Sequence, residues 1–375
     1  MKIAHLTNFY PLNTVTPPVF SGSERYVHDM ATRQAAAGHE VHVTYTPVIY
    51  SPEHKDLKFL HPEGAAMSYF PQRVKAIRAF NDIRKFNPDV IQSHNLKMGA
   101  IALGIGLVLR KPVVCSVLLS ENHEKGWKRK LFTKLLGPLF AKINYIAISE
   151  DIAESIRADV KNAKIDVVTC WTWNNQLIKN ADGAEFRKSY PKNAKITFTI
   201  SRIDHEKGLT YLFEAAKAIL QKRNDVYFVI SGGGPQLDEY RELVRNMGIE
   251  KNVVLTGRIT DIQLLQSYNG CDMIVYPSPM DYLFSVSESL ASGKPIVATR
   301  VRSAAETYKD RENALLVNIK DSKDLERAIT ELLENENLAE KIASGLEETA
   351  KAYHPDVCMA KIENVYKRIT GSAAS

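Results

Sequence analysis

The chain has 375 residues, 45% hydrophobic and 25% charged, with a formal net charge of +6. That is length enough for two cores and the composition of an ordinary globular protein, with no apolar run near the ~18 residues of a membrane-spanning helix and no nucleic-acid-binding pattern. The start, Met1-Lys2-Ile3-Ala4-His5-Leu6, lacks a secretion-signal layout, and the scattered Cys115, Cys170, Cys271 and Cys358 form no C-x-x-C zinc or disulfide framework, so a cytoplasmic protein with buried apolar thiols is expected.

Residues 2–8 read as a strand and 23–37 as a helix whose Tyr26, Val27, Met30 and Ala31 share a face. Gly38-His39 ends that helix before a strand at 41–46. A basic amphipathic helix at 74–86 is stopped by Pro88-Asp89, and strands follow at 90–92, 113–117 and 145–148. The pattern then restarts. Strands at 195–200, 226–231, 253–256, 273–276 and 296–299 alternate with helices at 210–222, 236–247 and 262–268 and a helix carrying Glu288 that Gly293 stops. This alternation predicts an α/β protein of two doubly wound, Rossmann-like domains with parallel sheets. The expected domains are residues 1–180 and 193–355, joined through the polar stretch 175–193. Strand C-termini of both domains would face a central cleft, where a ligand is expected.

Several loops at predicted strand ends have the chemistry for an anionic, hydroxylated ligand such as a sugar nucleotide. Ser21-Gly22-Ser23-Glu24-Arg25 offers a small turn at a helix start, where backbone N–H groups can approach a phosphate. The same residues also read as simple capping. Ser201-Arg202-Ile203-Asp204-His205-Glu206-Lys207-Gly208 puts Arg202 and Lys207 in a strand-to-helix loop, where fixed cations stabilise the charge of a leaving diphosphate better than water does. Gly232-Gly233-Gly234-Pro235 lacks the third glycine of a dinucleotide fingerprint, yet suits a phosphate or ribose contact through Gly233. Gly257-Arg258-Ile259 follows another strand. Glu288, read as an acid near a helix front, can accept hydrogen bonds from ribose hydroxyls. His94, at the end of the strand through Val90-Ile91-Gln92, is read either as an acceptor contact or as a histidine satisfied by local hydrogen bonds.

In order and spacing, these motifs, with Gly38-His39-Glu40-Val41, Ala147-Ile148-Ser149-Glu150 and Pro277-Ser278 through Gly293-Lys294-Pro295, resemble the large retaining glycosyltransferase group of GT-B fold commonly called family 4. The resemblance implies a nucleoside-diphosphate-sugar donor and a carbohydrate or lipid-linked acceptor in polysaccharide or glycolipid synthesis. It implies no metal and no other cofactor, and the chain contains no Asp-x-Asp pair. In the implied donor site Gly22 lies near the diphosphate and the transferred sugar, and Arg202 and Lys207 hold the diphosphate. Glu288 takes the ribose, Arg258 and Ile259 the base, and the amides around Tyr282, Leu283, Phe284 and Ser285 the sugar and phosphate oxygens. A C-terminal helix within 356–375 would cross back to the first domain.

Two positions depart from that family. Met280 stands where the family has Glu, and Tyr282-Leu283 where it has Phe-Gly, which makes Asp281 the substitute candidate for the catalytic contact to the donor sugar. Leu118-Leu119 occupies the place of a His, with Glu121 and His123 following. These departures raise a competing reading, a sugar-nucleotide-binding subunit without turnover. A phosphorylase or epimerase of the same architecture is a third. Residues 127–140 space Trp127, Leu131, Phe132, Leu135 and Leu139 helically against Lys128, Arg129, Lys130 and Lys134. That pattern suits peripheral contact with the inner membrane face, or a stripe packed on the sheet.

Overall fold

A computed structural model describes residues 1–8, 22–45, 63–69, 75–118, 136–171, 175–280 and 283–371. The chain divides into two compact units, Met1–Trp173 with Pro355–Ser375, and Asn174–His354.

The first unit runs β1 (Lys2–Thr7), α1 (Gly22–Ala36), β2 (Glu40–Tyr45), β3 (Ala66–Tyr69), α2 (Lys75–Phe86), β4 (Val90–His94), α3 (Leu96–Leu109), β5 (Val113–Val117), β6 (Asn144–Ala147), α4 (Glu150–Asp159) and β7 (Lys164–Val167). Its seven strands are parallel, in the order β3-β2-β1-β4-β5-β6-β7. The central strands β4, β5 and β6 are buried at every residue, as expected of strands covered on both faces. Helix α3 escapes a periodicity search because Leu-Lys-Met-Gly-Ala-Ile-Ala-Leu-Gly-Ile-Gly-Leu-Val-Leu is apolar on every side. Its start is set by Asn95, whose Oδ1 accepts from the Met98 amide at 2.9 Å. Of the basic segment 127–140, residues 127–135 lie outside the described residues, as do Glu121 and His123.

The second unit contains α5 (Asn175–Asn180), α6 (Gly183–Arg187), β8 (Lys195–Ile200), a 3-10 turn (His205–Lys207), α7 (Leu209–Leu220), β9 (Val226–Ser231), α8 (Leu237–Asn246), β10 (Val253–Gly257), α9 (Asp261–Gly270), β11 (Met273–Tyr276), α10 (Leu283–Ser292), β12 (Ile296–Thr299), α11 (Arg302–Thr307), β13 (Leu315–Val317), α12 (Ser322–Glu334) and α13 (Glu336–Ala352). Its six strands are again parallel, ordered β10-β9-β8-β11-β12-β13. Gly293, at φ +63°, terminates α10 in the left-handed conformation that a residue with a Cβ disfavours.

The polar stretch 175–193, read as a join, is instead folded onto the second unit. Arg187 donates to Asp272 Oδ1 at 2.5 Å, while Asp272 Oδ2 accepts from the Ile196 amide at 2.7 Å, so one carboxylate ties α6 to the start of β8. The last helix, α14 (Pro355–Thr370), belongs to the first unit and buries Cys358, Met359, Ile362, Val365 and Tyr366.

Candidate active site

In each sheet the chain reverses its direction of build at one point, between β1 and β4 in the first unit and between β8 and β11 in the second. Loops leaving the C-terminal ends of the two strands diverge there, which leaves a crevice suited to a ligand. In the second unit the loop 201–208 leaves β8 on one side, and 277–280 with the start of α10 leaves β11 on the other. Arg202 and Lys207 lie on the first loop, Phe284 and Ser285 in the first turn of α10.

Backbone contacts hold these loops together. The Ser201 amide donates to Ser231 O, the Ile203 amide to Gly233 O (both 3.0 Å), and the Gly232 amide to Gly257 O at 2.9 Å. The loops after β8, β9 and β10 are therefore stitched edge to edge. Gly232 has φ +144°, and a Cβ there would stand 1.8 Å from Ser201 O, so only glycine lets the two loops meet. Gly208, at φ +70°, does the same across the switch point: its Cβ would fall 2.3 Å from Pro277 O.

The cations differ in their fastening. Arg202 is 65% exposed and pairs with the buried Asp204. Asp204 Oδ1 also accepts from the Glu206 amide at 2.9 Å and so caps the 3-10 turn that ends in Lys207. One buried acid thus orients Arg202 and places Lys207. Among the described residues, Lys207 and Arg258 have no carboxylate partner. Arg258 lies across Gly233, where a Cβ would come within 2.6 Å of its Nε. The two glycine-bearing motifs after β9 and β10 are therefore one surface, with Ile259 half-buried beside it.

Glu288 sits differently from its expected place. Helix α10 begins at Leu283, so Glu288 is its sixth residue, about 7 Å along the axis from the first amides. The amides that could meet an anion belong to residues 283–285, and the carboxylate stands a turn and a half beyond them. It is half-buried and accepts from Tyr268 Oη at 3.0 Å. Burial, with Tyr276 and Glu288 adding, pushes the Tyr268 hydroxyl well above its usual range, which keeps it a donor at neutral pH. Tyr276 Oη donates to Ser285 O at 2.9 Å and fastens the first turn of α10 to β11. Asp281 and Tyr282 lie outside the described residues, and for Leu283 only the backbone is described. Among the described residues no three His, Cys, Asp or Glu side chains form a group that could hold a metal ion. All four cysteines are buried thiols.

In the first unit Gly22 opens α1 and His94 ends β4, on the two sides of that sheet's switch point. His94 is fully buried and belongs to a polar chain. His5 Nε2 bonds to Gln34 Oε1 at 2.6 Å, which fixes its proton on Nε2 and makes Nδ1 the acceptor for His94 Nε2 at 2.8 Å. Gln34 Nε2 donates to Tyr366 Oη at 2.9 Å, Tyr366 Oη donates to Gln92 Oε1, and Gln92 Nε2 donates to Ser116 Oγ at 2.8 Å. Burial pushes His5 down to about 4 and His94 well below 6.5, so both rings are neutral. The local-hydrogen-bond reading of His94 therefore accounts for Nε2, whereas Nδ1 is buried with no partner among the described residues.

Sequence reasoning missed Asp204, Tyr268 and this buried chain. Asp204 was legible, since an acid between two cations at a strand-to-helix turn reads as a cap. Tyr268 was not, because nothing in the spacing says that α9 faces α10.

The family model for "Glycosyl transferases group 1" matches residues 182–348, and that for "Glycosyltransferase Family 4" matches residues 20–171. The chain is similar to a phosphatidyl-myo-inositol mannosyltransferase of Mycobacterium leprae, 23% identical over 76% of this chain and 75% of that one. It is also similar to the capsular polysaccharide biosynthesis glycosyltransferase CapM of Staphylococcus aureus, 25% identical over 85% and 88%. Its fold is that of Anabaena Alr3699/HepE, solved in complex with UDP, with a TM-score of 0.80 at 18% identity over 98% of this chain and all of that one. Two family matches, over residues 20–171 and 182–348, on a pair of Rossmann-like units make this chain a GT-B glycosyltransferase of group 1, family 4, an enzyme that transfers sugar from a nucleotide sugar.

Proposed function

We propose that the enzyme transfers a sugar, with retention of anomeric configuration and without a metal ion, from a nucleoside diphosphate sugar to a hydroxyl of a carbohydrate or lipid-linked acceptor. The second unit binds the donor and the first receives the acceptor. The observation that carries this reading is the convergence at one switch point of Arg202, Lys207 and the first turn of α10. Arg202 and Lys207 neutralise the diphosphate, helped by the amides of residues 283–285. Glu288, held by Tyr268, accepts from the ribose hydroxyls, and the surface of Arg258 and Ile259 receives the base.

In the reaction the bond from the anomeric carbon to the diphosphate oxygen breaks, and its electron pair stays on that oxygen. The acceptor oxygen forms the new bond on the same face, and its proton passes to the leaving diphosphate. The protein's share is to hold the growing negative charge with groups that need no reorganisation. The names of the M. leprae and S. aureus relatives support a phospholipid or capsular polysaccharide acceptor.

The test is a thermal-shift panel of nucleoside diphosphates and sugar nucleotides in the presence of a chelator, starting from UDP, which the Anabaena structure contains. A ligand at a hundred times its Kd stabilises the native state by about 2.7 kcal/mol. Arg202→Ala and Glu288→Ala should each weaken binding about tenfold to a hundredfold, the worth of a hydrogen bond to a charged group. If both variants bind and turn over donor like the parent, the assignment of the site is wrong.

A further inference from the structure

His94 Nδ1 is buried with no hydrogen-bond partner among the described residues, a state that costs free energy until something pairs it. The other ring nitrogen is occupied. Nε2 meets His5 Nδ1 at 2.8 Å, with the two rings within 15° of parallel. His5 stands opposite Gln92 in the β1–β4 register, two residues before His94, so Nε2 is turned back into the sheet. The two nitrogens of an imidazole look to opposite sides of the ring, so Nδ1 looks past the last residue of β4. That end of β4 is one wall of the crevice at the switch point of the first sheet.

The next residue marks the same corner. Asn95 has φ +128°, a conformation that residues with a Cβ rarely adopt. Its side chain holds it there: Oδ1 accepts from the Met98 amide at 2.9 Å, and Nδ2 donates to Asn8 Oδ1 at 2.5 Å. Its carbonyl accepts from the Gly99 amide at 2.9 Å and from Cys115 Sγ at 3.3 Å. Asn8 directly follows β1, so this strained turn fastens together the two strand ends that flank the crevice. Strain of this kind persists only where the surroundings over-determine it, and here it fixes the direction of His94.

What Nδ1 can do is decided far along the chain. A neutral imidazole carries one N–H. Tyr366 Oη donates to Gln92 Oε1 and so can only accept from Gln34 Nε2. Gln34 then turns Oε1 to the Nε2–H of His5, His5 offers Nδ1 to the Nε2–H of His94, and His94 Nδ1 is left as a bare lone pair. Burial keeps the ring neutral, so Nδ1 accepts a hydrogen bond without acting as a base. Its ligand must therefore bring a donor, and on a sugar that donor is a hydroxyl. The attacking hydroxyl has one proton, which passes to the leaving diphosphate, so the hydroxyl at His94 is a second one. We propose that His94 Nδ1 accepts a hydrogen bond from a non-reacting hydroxyl of the acceptor, with Tyr366, Gln34 and His5 as positioning residues that set its tautomer. The acceptor end is then a polyol such as a pyranose, not a lone alcohol. This inference rests on the proposal that the first unit receives the acceptor.

The test is nitrogen NMR of the full chain labelled on its histidine ring nitrogens. In the free parent at neutral pH, His94 should show a protonated Nε2 and an unprotonated Nδ1. Tyr366→Phe, read below its melting temperature, should turn His5 and His94 into mixtures of the two neutral tautomers, an effect that lost packing does not produce. With UDP bound, methyl glucoside, methyl galactoside or methyl mannoside should move the Nδ1 resonance toward that of a hydrogen-bonded nitrogen. The blocked anomeric oxygen of these probes keeps them out of the place beside the diphosphate that a transferred sugar takes. His94→Gln keeps an Nε2 donor for His5 but has no atom at the Nδ1 position; it should bind the glycoside about tenfold more weakly, the scale of one hydrogen bond, with UDP affinity unchanged. The proposal fails if no glycoside moves Nδ1, or if UDP-glucose alone moves it. It also fails if His94→Gln binds the glycoside like the parent, or if Tyr366→Phe leaves the tautomers unchanged. Absence of UDP binding would count against the donor site alone, because the tautomers are read in the free enzyme and the glycosides can be titrated without UDP.

Discussion

Tyr366→Phe removes one hydroxyl from the middle of the buried polar chain and should destabilise the whole first unit. That hydroxyl accepts from Gln34 Nε2 at 2.9 Å and donates to Gln92 Oε1, and all three residues are fully buried. The phenyl ring keeps the packing but leaves one donor and one acceptor without partners or water. Each such orphan costs about 1–3 kcal/mol, so the pair costs about 4 kcal/mol. For a unit of this size each kcal/mol shifts Tm by roughly 2–4 °C, which gives a fall on the order of 10 °C. The assay is intrinsic fluorescence, because all three tryptophans, Trp127, Trp171 and Trp173, belong to the first unit. Trp171 is buried beside Tyr26, with ring centroids 4.4 Å apart, and its Nε1 donates to Asp29 Oδ2 at 2.6 Å, so its emission should change when the unit opens. A double-mutant cycle with Gln92→Leu should show coupling of about 1 kcal/mol or more. A fall below 2 °C, or strict additivity, would refute the claim that the buried chain is satisfied only within itself.

Acid should weaken the first unit through His5. Its folded value is depressed from 6.5 to about 4 by burial, so between those values the unfolded chain binds a proton that the folded chain does not. The stability is complete above pH 6.5 and falls as pH drops toward about 4, by about 3 kcal/mol at 1.36 kcal/mol per unit; His5→Gln should flatten the fluorescence-detected Tm profile across that window, and an unchanged slope would reject His5 as its source. Gly232→Ala puts a Cβ 1.8 Å from Ser201 O and should displace the loop that carries Arg202, with nucleotide affinity falling more than tenfold, about 1.4 kcal/mol, while the tryptophan-detected melt stays put; calorimetric titration with UDP reads the first effect, and full retention of affinity would show that the loop contact does not set the site. Tyr268→Phe frees the Glu288 carboxylate from its 3.0 Å partner and should weaken nucleotide binding about tenfold, the scale of one hydrogen bond to a charged group; equal binding by the same titration would remove Tyr268 as a positioning residue.

Much of the proposed donor site was legible because its parts are local. A glycine that must adopt positive φ, or a cation in a strand-to-helix loop, announces itself within eight residues, as Ser201 to Gly208 does. Elements whose stability comes from burial on all sides were harder to read. Helix α3 has no polar face to mark its period, and the polar residues of 175–193 read as solvated until Arg187 and Asp272 are seen paired across 85 positions of sequence. Glu288 was found, but its place in α10 was not, because Ser285-Val286-Ser287-Glu288 has the spacing of a capping box that would start the helix at Val286, whereas it starts at Leu283.

Alternation of strand and helix was therefore enough to specify two Rossmann-like units, and loop chemistry at strand ends was enough to place Arg202 and Lys207 at the switch point of the second sheet, since both follow from short-range periodicity and backbone sterics. The tertiary structure alone decided that Asp204 orients Arg202, that Tyr268 holds Glu288, and that His94 lies within a buried chain reaching Tyr366 of the last helix. The last two depend on which helix packs against which strand. A polar residue in a sequence carries no sign of whether its partner is water or a side chain hundreds of positions away, and only burial makes the difference cost free energy.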